Sequence, residues 1–173
     1  MACAIVSGYA LDCKDTVGGI KAVYITELAN VASVTENASG YVTAMTMSAS
    51  KKFFTYALEP RGQNNLTQAI QANAQNGTVA YEQTLTLNFV KMQYESQIKF
   101  QNVIKNRCAV IVLTQDGSYW LCGKTNGMEV TGGSGETGTA MNDFQGYKLT
   151  LTVMEKEFAN EVDSSVISAI ISA

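Results

Sequence analysis

Residues 76–89, NGTVAYEQTLTLNF, begin with a turn dipeptide and continue as a long stretch in which apolar and polar side chains alternate. Side chains two residues apart lie on the same face of a β-strand. The alternation therefore predicts a strand with one buried face and one polar face. The apolar face consists of Val79, Tyr81, Leu85, Leu87 and Phe89.

The dipeptide Asn76-Gly77 predicts that this strand forms a β-hairpin with the residues before it. Asn-Gly readily adopts the two positive φ angles that a two-residue type I′ turn requires. Pairing outward from the turn brings the apolar faces of both strands together, as a sheet with one buried face requires. The predicted partners are Ala72 with Tyr81, Ile70 with Gln83, and Leu66 with Leu87.

Six shorter segments are also predicted as strands. They are rich in β-branched and aromatic residues and cover residues 20–25, 41–47, 52–58, 108–113, 118–122 and 147–153. The run CAVIVL at 108–113 is apolar at every position, which predicts a strand covered on both faces. Asp116-Gly117 predicts a hairpin turn into the strand that follows.

One helix is predicted, at about residues 92–106. Tyr94 with Ile98, and Phe100 with Ile104, are apolar pairs at the four-residue spacing that places side chains side by side on a helix. Residues 26–40 are expected to be a polar connection, and the Gly- and Thr-rich residues 127–146 a long loop.

These segments together predict a mainly β protein, an antiparallel β-barrel or sandwich of about eight strands with one packed α-helix. The expected organisation is an N-terminal arm at 1–19, a β-barrel domain at 20–159 and a C-terminal apolar tail at 160–173. The tail carries Val162, Val166 and Ile170 at a spacing of four, an apolar stripe with few neighbours in sequence to cover it.

The composition favours a protein that assembles with copies of itself. Apolar residues make up 46% of the chain and charged residues only 16%. A monomer exposes most of its charged residues to solvent, whereas the centres of subunit interfaces are depleted of them. The net charge of −3, with scattered Lys and Arg, argues against nucleic-acid binding, which needs clustered cations.

No catalytic apparatus is evident in the sequence. The chain has no histidine, which excludes Ser-His and Cys-His nucleophile arrangements. The carboxylates of Glu155, Glu157 and Glu161 are expected on a solvated strand end. The Gly132–Gly138 run lacks the Gly-Lys-Ser/Thr ending of a phosphate-binding loop. The four cysteines form no C-x-x-C pair. We therefore expect no enzyme activity, metal or cofactor, and no stretch predicts a secretory signal or a membrane helix.

The order of elements resembles the phage tail tube proteins and their type VI secretion tube relatives. The resemblance rests on a hairpin, an isolated helix, further hairpins, and a closing segment made of Gly127-Met128, residues 137–140, Asp143 and residues 146–152. It implies hexameric rings stacked into a hollow tube in the virion, assembled in the host cytoplasm. The implied partners are the chain itself, other virion or tail proteins, and DNA that passes through the lumen without specific binding.

Stacking in such tubes uses a long hairpin and the terminal segments. Residues 41–58 are the hairpin candidate. The predicted subunit contacts are Tyr41, Phe53, Phe54 and Tyr56 in that hairpin, and Val162, Val166 and Ile170 in the tail. Ordinary core packing is the alternative role for the three aromatic residues at 53–56.

Two other classes fit the same sequence. One is a different virion component, such as a capsid decoration or head–tail connector protein. The other is a monomeric β-barrel that binds a small ligand.

Overall fold

The computed structural model describes residues 8–10, 17–59 and 63–172, so most of the predicted N-terminal arm, with Cys3 and Cys13, lies outside the described residues. The described part contains eleven strands and two α-helices. In chain order these are β1 (Ile20–Glu27), β2 (Val31–Glu36), β3 (Val42–Met47), β4 (Phe54–Ala57), β5 (Asn65–Asn73), β6 (Thr78–Val90), α1 (Tyr94–Lys105), β7 (Cys108–Thr114), β8 (Tyr119–Cys122), β9 (Glu129–Glu136), β10 (Gly146–Glu155), β11 (Asn160–Val162) and α2 (Ser164–Ile170).

The strands form two sheets. The large sheet has seven strands in the order β2-β3-β11-β8-β7-β1-β4, and the small sheet has four in the order β5-β6-β10-β9. The predicted mainly β class is confirmed, in its sandwich form. Both sheets of the described chain end in edge strands, so neither closes into a barrel.

The main core lies between the two sheets. Alternate residues of β6 and β10 meet alternate residues of β1 and β7, and α1 adds Phe100 and Val103 at one end of this core. The predicted helix at 92–106 is confirmed, with ends at Tyr94 and Lys105.

A second core lies on the opposite face of the large sheet, where α2 covers it. It contains Ala109, Ile111 and Leu113 of β7, together with Val166 and Ile170 of α2. The prediction that residues 108–113 are covered on both faces is therefore confirmed, and the cover on the second face comes from the C-terminal helix.

The predicted hairpin is present between β5 and β6, but its register differs by two residues. Ala72 pairs with Val79 rather than Tyr81, and Ile70 pairs with Tyr81. A four-residue loop replaces the two-residue turn because the Asn73 side chain accepts hydrogen bonds from the amides of Gln75 (3.0 Å) and Asn76 (3.2 Å). A shift of two residues keeps every side chain on its predicted face.

The prediction of a hairpin at residues 41–58 is wrong. β3 pairs with β2 and β11, whereas β4 pairs with β1 at the far edge of the large sheet. The actual partner of β3 lies in residues 26–40, which were expected to be a connection. There the Asn37 side chain accepts from the amides of Ser39 and Tyr41 and closes a tight turn from β2 into β3.

The expected loop at residues 127–146 is also corrected, because Glu129–Glu136 forms edge strand β9. Its glycines allow a close approach to β10. A Cβ atom at Gly133 would lie 2.5 Å from the carbonyl oxygen of Lys148, so no larger residue fits there without a shift of the backbone. Glycine usually signals a loop, which is why the sequence pattern obscured this strand.

The C-terminal segment at 160–173 forms part of the folded domain as far as the structure describes it. β11 lies between β3 and β8, and Asp163 caps α2 by accepting from the Ser165 amide at 2.8 Å. Val162, Val166 and Ile170 are all buried. The expectation that they form an uncovered stripe is wrong, because the second face of the large sheet covers them.

We expect Ile170→Asp to destabilise the isolated domain by roughly 3–5 kcal/mol, because the change places an unpaired charge in the second core. Chemical denaturation monitored by circular dichroism measures the loss. Ala169→Asp is the matched control, since Ala169 is exposed on the same helix and the charge change is identical. Equal stability of the two variants would contradict the burial of Ile170.

Candidate assembly surfaces

The seven predicted contact residues divide into a buried group and a group at the surface. Phe53, Val162, Val166 and Ile170 belong to the second core, and Tyr41 is half-buried just before β3. Only Phe54 is largely exposed, at 59%. The structure brings Phe54 and Tyr56 together at one groove and leaves the others away from it.

Phe53 and Phe54 are neighbours in the chain with opposite environments. The backbone of Phe53 bonds to the C-terminal segment, donating to the Ile170 carbonyl and accepting from the Ser172 amide, both at 2.8 Å. This places the Phe53 side chain in the second core with no exposed surface. Because side chains alternate along an extended chain, Phe54 points the other way.

The groove beside Phe54 encloses about 730 Å³ between α1 and strands β1 and β4. Its floor is an aromatic cluster. The Phe89 and Phe100 rings lie 4.6 Å apart between centroids, Phe100 lies 5.1 Å from Tyr147, and Tyr56 lies 6.0 Å from Phe89. The rings of Tyr56, Phe89 and Phe100 line the groove and give it an apolar base, and Tyr147 packs against Phe100.

Two titratable groups at the groove stay uncharged near neutral pH. Burial raises the pKa of the Cys108 thiol to about 11, and burial also raises the pKa of the Tyr56 phenol. A thiol reacts as a nucleophile only when it is ionised. Cys108 therefore contributes apolar surface to this groove rather than a reactive thiolate.

The rim of the groove is cationic. Lys51, Lys91 and Lys99 line it together with one carboxylate, Glu27. Among the described residues no carboxylate lies within ion-pairing distance of these lysines. Lys91 also adopts a positive φ of 75°, an uncommon conformation for a residue other than glycine, at the point where β6 ends.

A second exposed apolar surface lies at the opposite end of β6. The β5–β6 hairpin extends past the core, and Ile70 and Val79 on its inner face are 60% and 56% exposed. Tyr81 on the same face packs against Phe158, with ring centroids 4.3 Å apart and the ring planes tilted by 55°. The sequence pattern marked these side chains as buried, because alternation shows which face a residue lies on and not where the opposite sheet ends.

The outer face of the small sheet is rich in threonine. In the two central strands Thr84 pairs with Thr152 and Thr86 with Thr150, on the side away from Leu85 and Leu151. The lysine on this side of β10, Lys148, donates to Glu136 of β9 at 2.9 Å. The face is therefore polar and has little free positive charge.

The small sheet also ends in two long edge strands. Among the described residues β5 pairs only with β6, and β9 pairs only with β10. β5 (NLTQAIQAN) contains no charged residue, and β9 (EVTGGSGE) has charges only at its two ends. Natural edge strands are usually protected from pairing by lysine, proline, bulges or covering segments. β9 has a bulge at one position, and most of both edges is available for pairing.

Two of the three carboxylates considered for acid–base chemistry have partners that give them a structural role. Glu155 is buried, contrary to expectation, and accepts from the amides of Thr125 (2.9 Å) and Asn126 (2.8 Å). Glu157 pairs with Lys124, and Glu161 lies in β11 opposite Trp120.

In the described part of the chain no group of three or more Cys, Asp or Glu side chains is placed to hold a metal ion. None of the described helices has the length and apolar character needed to cross a membrane.

Comparison with known proteins gave no match, either to a model of a protein family or to a curated protein.

We expect Phe53→Ala to destabilise the domain by about 3–5 kcal/mol, the usual cost of deleting a fully buried ring. Phe54→Ala should change stability by less than about 0.5 kcal/mol, since most of that ring is already in solvent. Thermal and chemical denaturation of both variants measure the difference. A large loss on truncating Phe54 would show that the groove is closed in solution.

Proposed function

We propose that this chain is a non-enzymatic virion structural protein that assembles into stacked rings, forming a phage tail tube through which DNA passes. The observation that carries the proposal is the small sheet, which has two long, mostly unprotected edges and one face free of the core. Such a sheet leaves backbone amides and carbonyls available for pairing with another chain. The resemblance in element order, and the low charge of the chain, support the same conclusion.

The two edges define how a ring would close. β5 of one copy pairs with β9 of the next, and this uses two different surfaces of the same chain. A contact between two different surfaces repeats around an axis and closes into a ring when the rotation per copy is right. The tail tube family implies six copies. The joined small sheets then form a continuous wall.

The threonine-rich outer face of the small sheet suits the lumen of that tube. DNA binds tightly where lysine and arginine neutralise phosphates and release counterions. The threonine rows offer no such cations, and Lys148 is already paired with Glu136. A wall of this kind lets DNA pass without specific binding.

Binding of a small ligand is the second candidate function, favoured by the groove beside Phe54. Its volume of about 730 Å³ lies within the common range for ligand pockets, about 300–1,000 Å³. A monomer that binds an apolar anion there would need neither sheet edge. Another virion component, such as a decoration or connector protein, would use the same edges with a different number of copies in the ring.

We expect Gly132→Lys to abolish assembly while leaving the monomer folded. Gly132 lies on edge strand β9, and a Cβ atom there would meet nothing within 4 Å, so the isolated domain accommodates a side chain. A lysine on an edge strand opposes pairing with another strand. Size-exclusion chromatography and negative-stain microscopy measure the loss of rings and tubes. Ala44→Lys, on an exposed position of β3, is the control and should assemble normally.

Hydrogen exchange identifies the edges that join. On assembly we expect new protection of backbone amides in residues 65–73 and 129–136. Protection confined to β2 or β4 would contradict the proposed wall. A wild-type chain that remains monomeric at high concentration would exclude the tube altogether.

A further inference from the structure

Glycine follows asparagine or aspartate at three places in the sequence: Asn76-Gly77, Asp116-Gly117 and Asn126-Gly127. In such a dipeptide the glycine amide nitrogen can attack the carbonyl carbon Cγ of the preceding side chain, because glycine has no side chain to obstruct the approach. The attack closes a cyclic imide, a succinimide. It requires a side chain that is free to turn toward the glycine, and a glycine amide that donates no hydrogen bond.

Asn76-Gly77 meets both requirements. The dipeptide lies in the four-residue loop between β5 and β6, and both of its residues are exposed. The Asn76 backbone amide donates to the Asn73 side chain at 3.2 Å, which holds the loop without engaging the Asn76 side chain. Among the described residues, neither the Asn76 side chain nor the Gly77 amide has a hydrogen-bond partner. Gly77 has a positive φ of 63°, and a Cβ atom there would meet nothing within 4 Å.

The same dipeptide at Asn126-Gly127 is held by its surroundings. The leaving group of the reaction is the side-chain amide nitrogen, and in Asn126 this nitrogen donates to the Met154 carbonyl at 2.6 Å. The Asn126 backbone amide donates to the buried Glu155 carboxylate at 2.8 Å. Gly127 is buried, with the Leu28 side chain so near that a Cβ atom would lie 3.0 Å from it. Cyclisation at this site therefore has to wait for local opening of the loop.

Asp116-Gly117 fails both requirements. The Gly117 amide donates to the Thr114 carbonyl at 3.1 Å, so the attacking nitrogen is already engaged. The Asp116 carboxylate accepts hydrogen bonds from the Thr114 hydroxyl and the Ser118 amide, and these bonds lower the pKa of Asp116. The carboxyl group therefore stays ionised, and an ionised carboxylate is a poor target for a nucleophile.

We propose that Asn76 is a site of spontaneous deamidation and that the fold confines this modification to the β5–β6 loop. The Gly77 amide nitrogen gives its proton to water or hydroxide and bonds to Cγ of Asn76, and the side-chain nitrogen leaves as ammonia. Water then opens the succinimide at either carbonyl. Breaking the Cγ–N bond gives aspartate, and breaking the bond from the backbone carbonyl to nitrogen gives isoaspartate. The whole reaction consumes water and releases ammonia, with no oxidant or reductant.

The modification changes the tip of the hairpin in charge and in backbone length. Residues 65–81 contain no charged side chain, so the new carboxylate brings the first negative charge to this loop in a chain whose net charge is already −3. Isoaspartate also adds a methylene group to the backbone at position 76. Because the loop lies beyond the core, next to the exposed Ile70 and Val79, the modified chain should keep its fold. Position 76 lies outside residues 65–73 and 129–136, so the inference does not depend on the proposed ring contacts.

Incubation of the folded wild-type chain at mildly alkaline pH tests the proposal. Ion-exchange chromatography follows the acidic product. Mass spectrometry of tryptic peptides locates it, because the three dipeptides fall on separate peptides, residues 62–91, 108–124 and 125–148. We expect conversion at position 76 to be at least about tenfold faster than at position 126, which reacts only from a locally opened state. The rate should rise with pH, since cyclisation requires loss of the Gly77 amide proton.

The chain unfolded in urea is the control for intrinsic reactivity, and there positions 76 and 126 should convert at similar rates. Asn76→Gln is the matched variant and should lose the acidic product, because glutamine closes the corresponding larger ring far more slowly. A folded chain with no conversion at position 76, or with equal rates at positions 76 and 126, would overturn the inference, as would an acidic product that persists in Asn76→Gln. Size-exclusion chromatography of the same samples reports assembly separately, so the failure of one proposal leaves the other intact.

Discussion

Strand β7 imposes the constraint on which the rest of this structure depends. Cys108, Val110 and Val112 lie on one face of the large sheet, and Ala109, Ile111 and Leu113 lie on the other. A strand that is apolar on both faces is stable only when both faces are covered. The small sheet covers one face and α2 covers the other, so the C-terminal helix is as much a part of the fold as any strand.

Both faces can be covered only if the C-terminal part of the chain passes from the small sheet to the large sheet and then continues to the second face of the large sheet. The passage lies between β10 and β11, and the side chains of buried Gln83 and half-buried Gln68 hold it in place. Gln83 donates to the Glu157 carbonyl at 3.4 Å and accepts from the Gly123 amide at 3.1 Å, while Gln68 accepts from the Ala159 amide at 2.6 Å. In the described residues no buried side-chain polar atom lacks a hydrogen-bond partner. Because an unpaired buried polar group is costly, these hydrogen bonds fix the path by which residues 156–159 cross from the small sheet to the large sheet.

The same arrangement determines which surfaces remain for other molecules. α2 covers the second face of the large sheet with Val166 and Ile170, so these two side chains are buried rather than offered to a partner. Exposed apolar side chains remain at the two ends of β6 and also along α1, at Tyr94, Ile98 and Ile104. The open edges of the small sheet follow from the sandwich, since four strands are too few to close on themselves.

The sequence by itself determined the mainly β class, the helix at residues 92–106, the hairpin around Asn76-Gly77 and the doubly covered strand at 108–113. Each follows from a local period or a turn dipeptide. It did not determine strand partners for residues 31–36 and 129–136, because a Gly-rich edge strand and a short polar strand lack a strong period. Only the tertiary structure decided that Phe53 is buried and Phe54 exposed, that the tail belongs to the core, and that Ile70 and Val79 extend beyond it. Alternation assigns a side chain to a face of its sheet, but whether that face meets another layer depends on where distant segments pack.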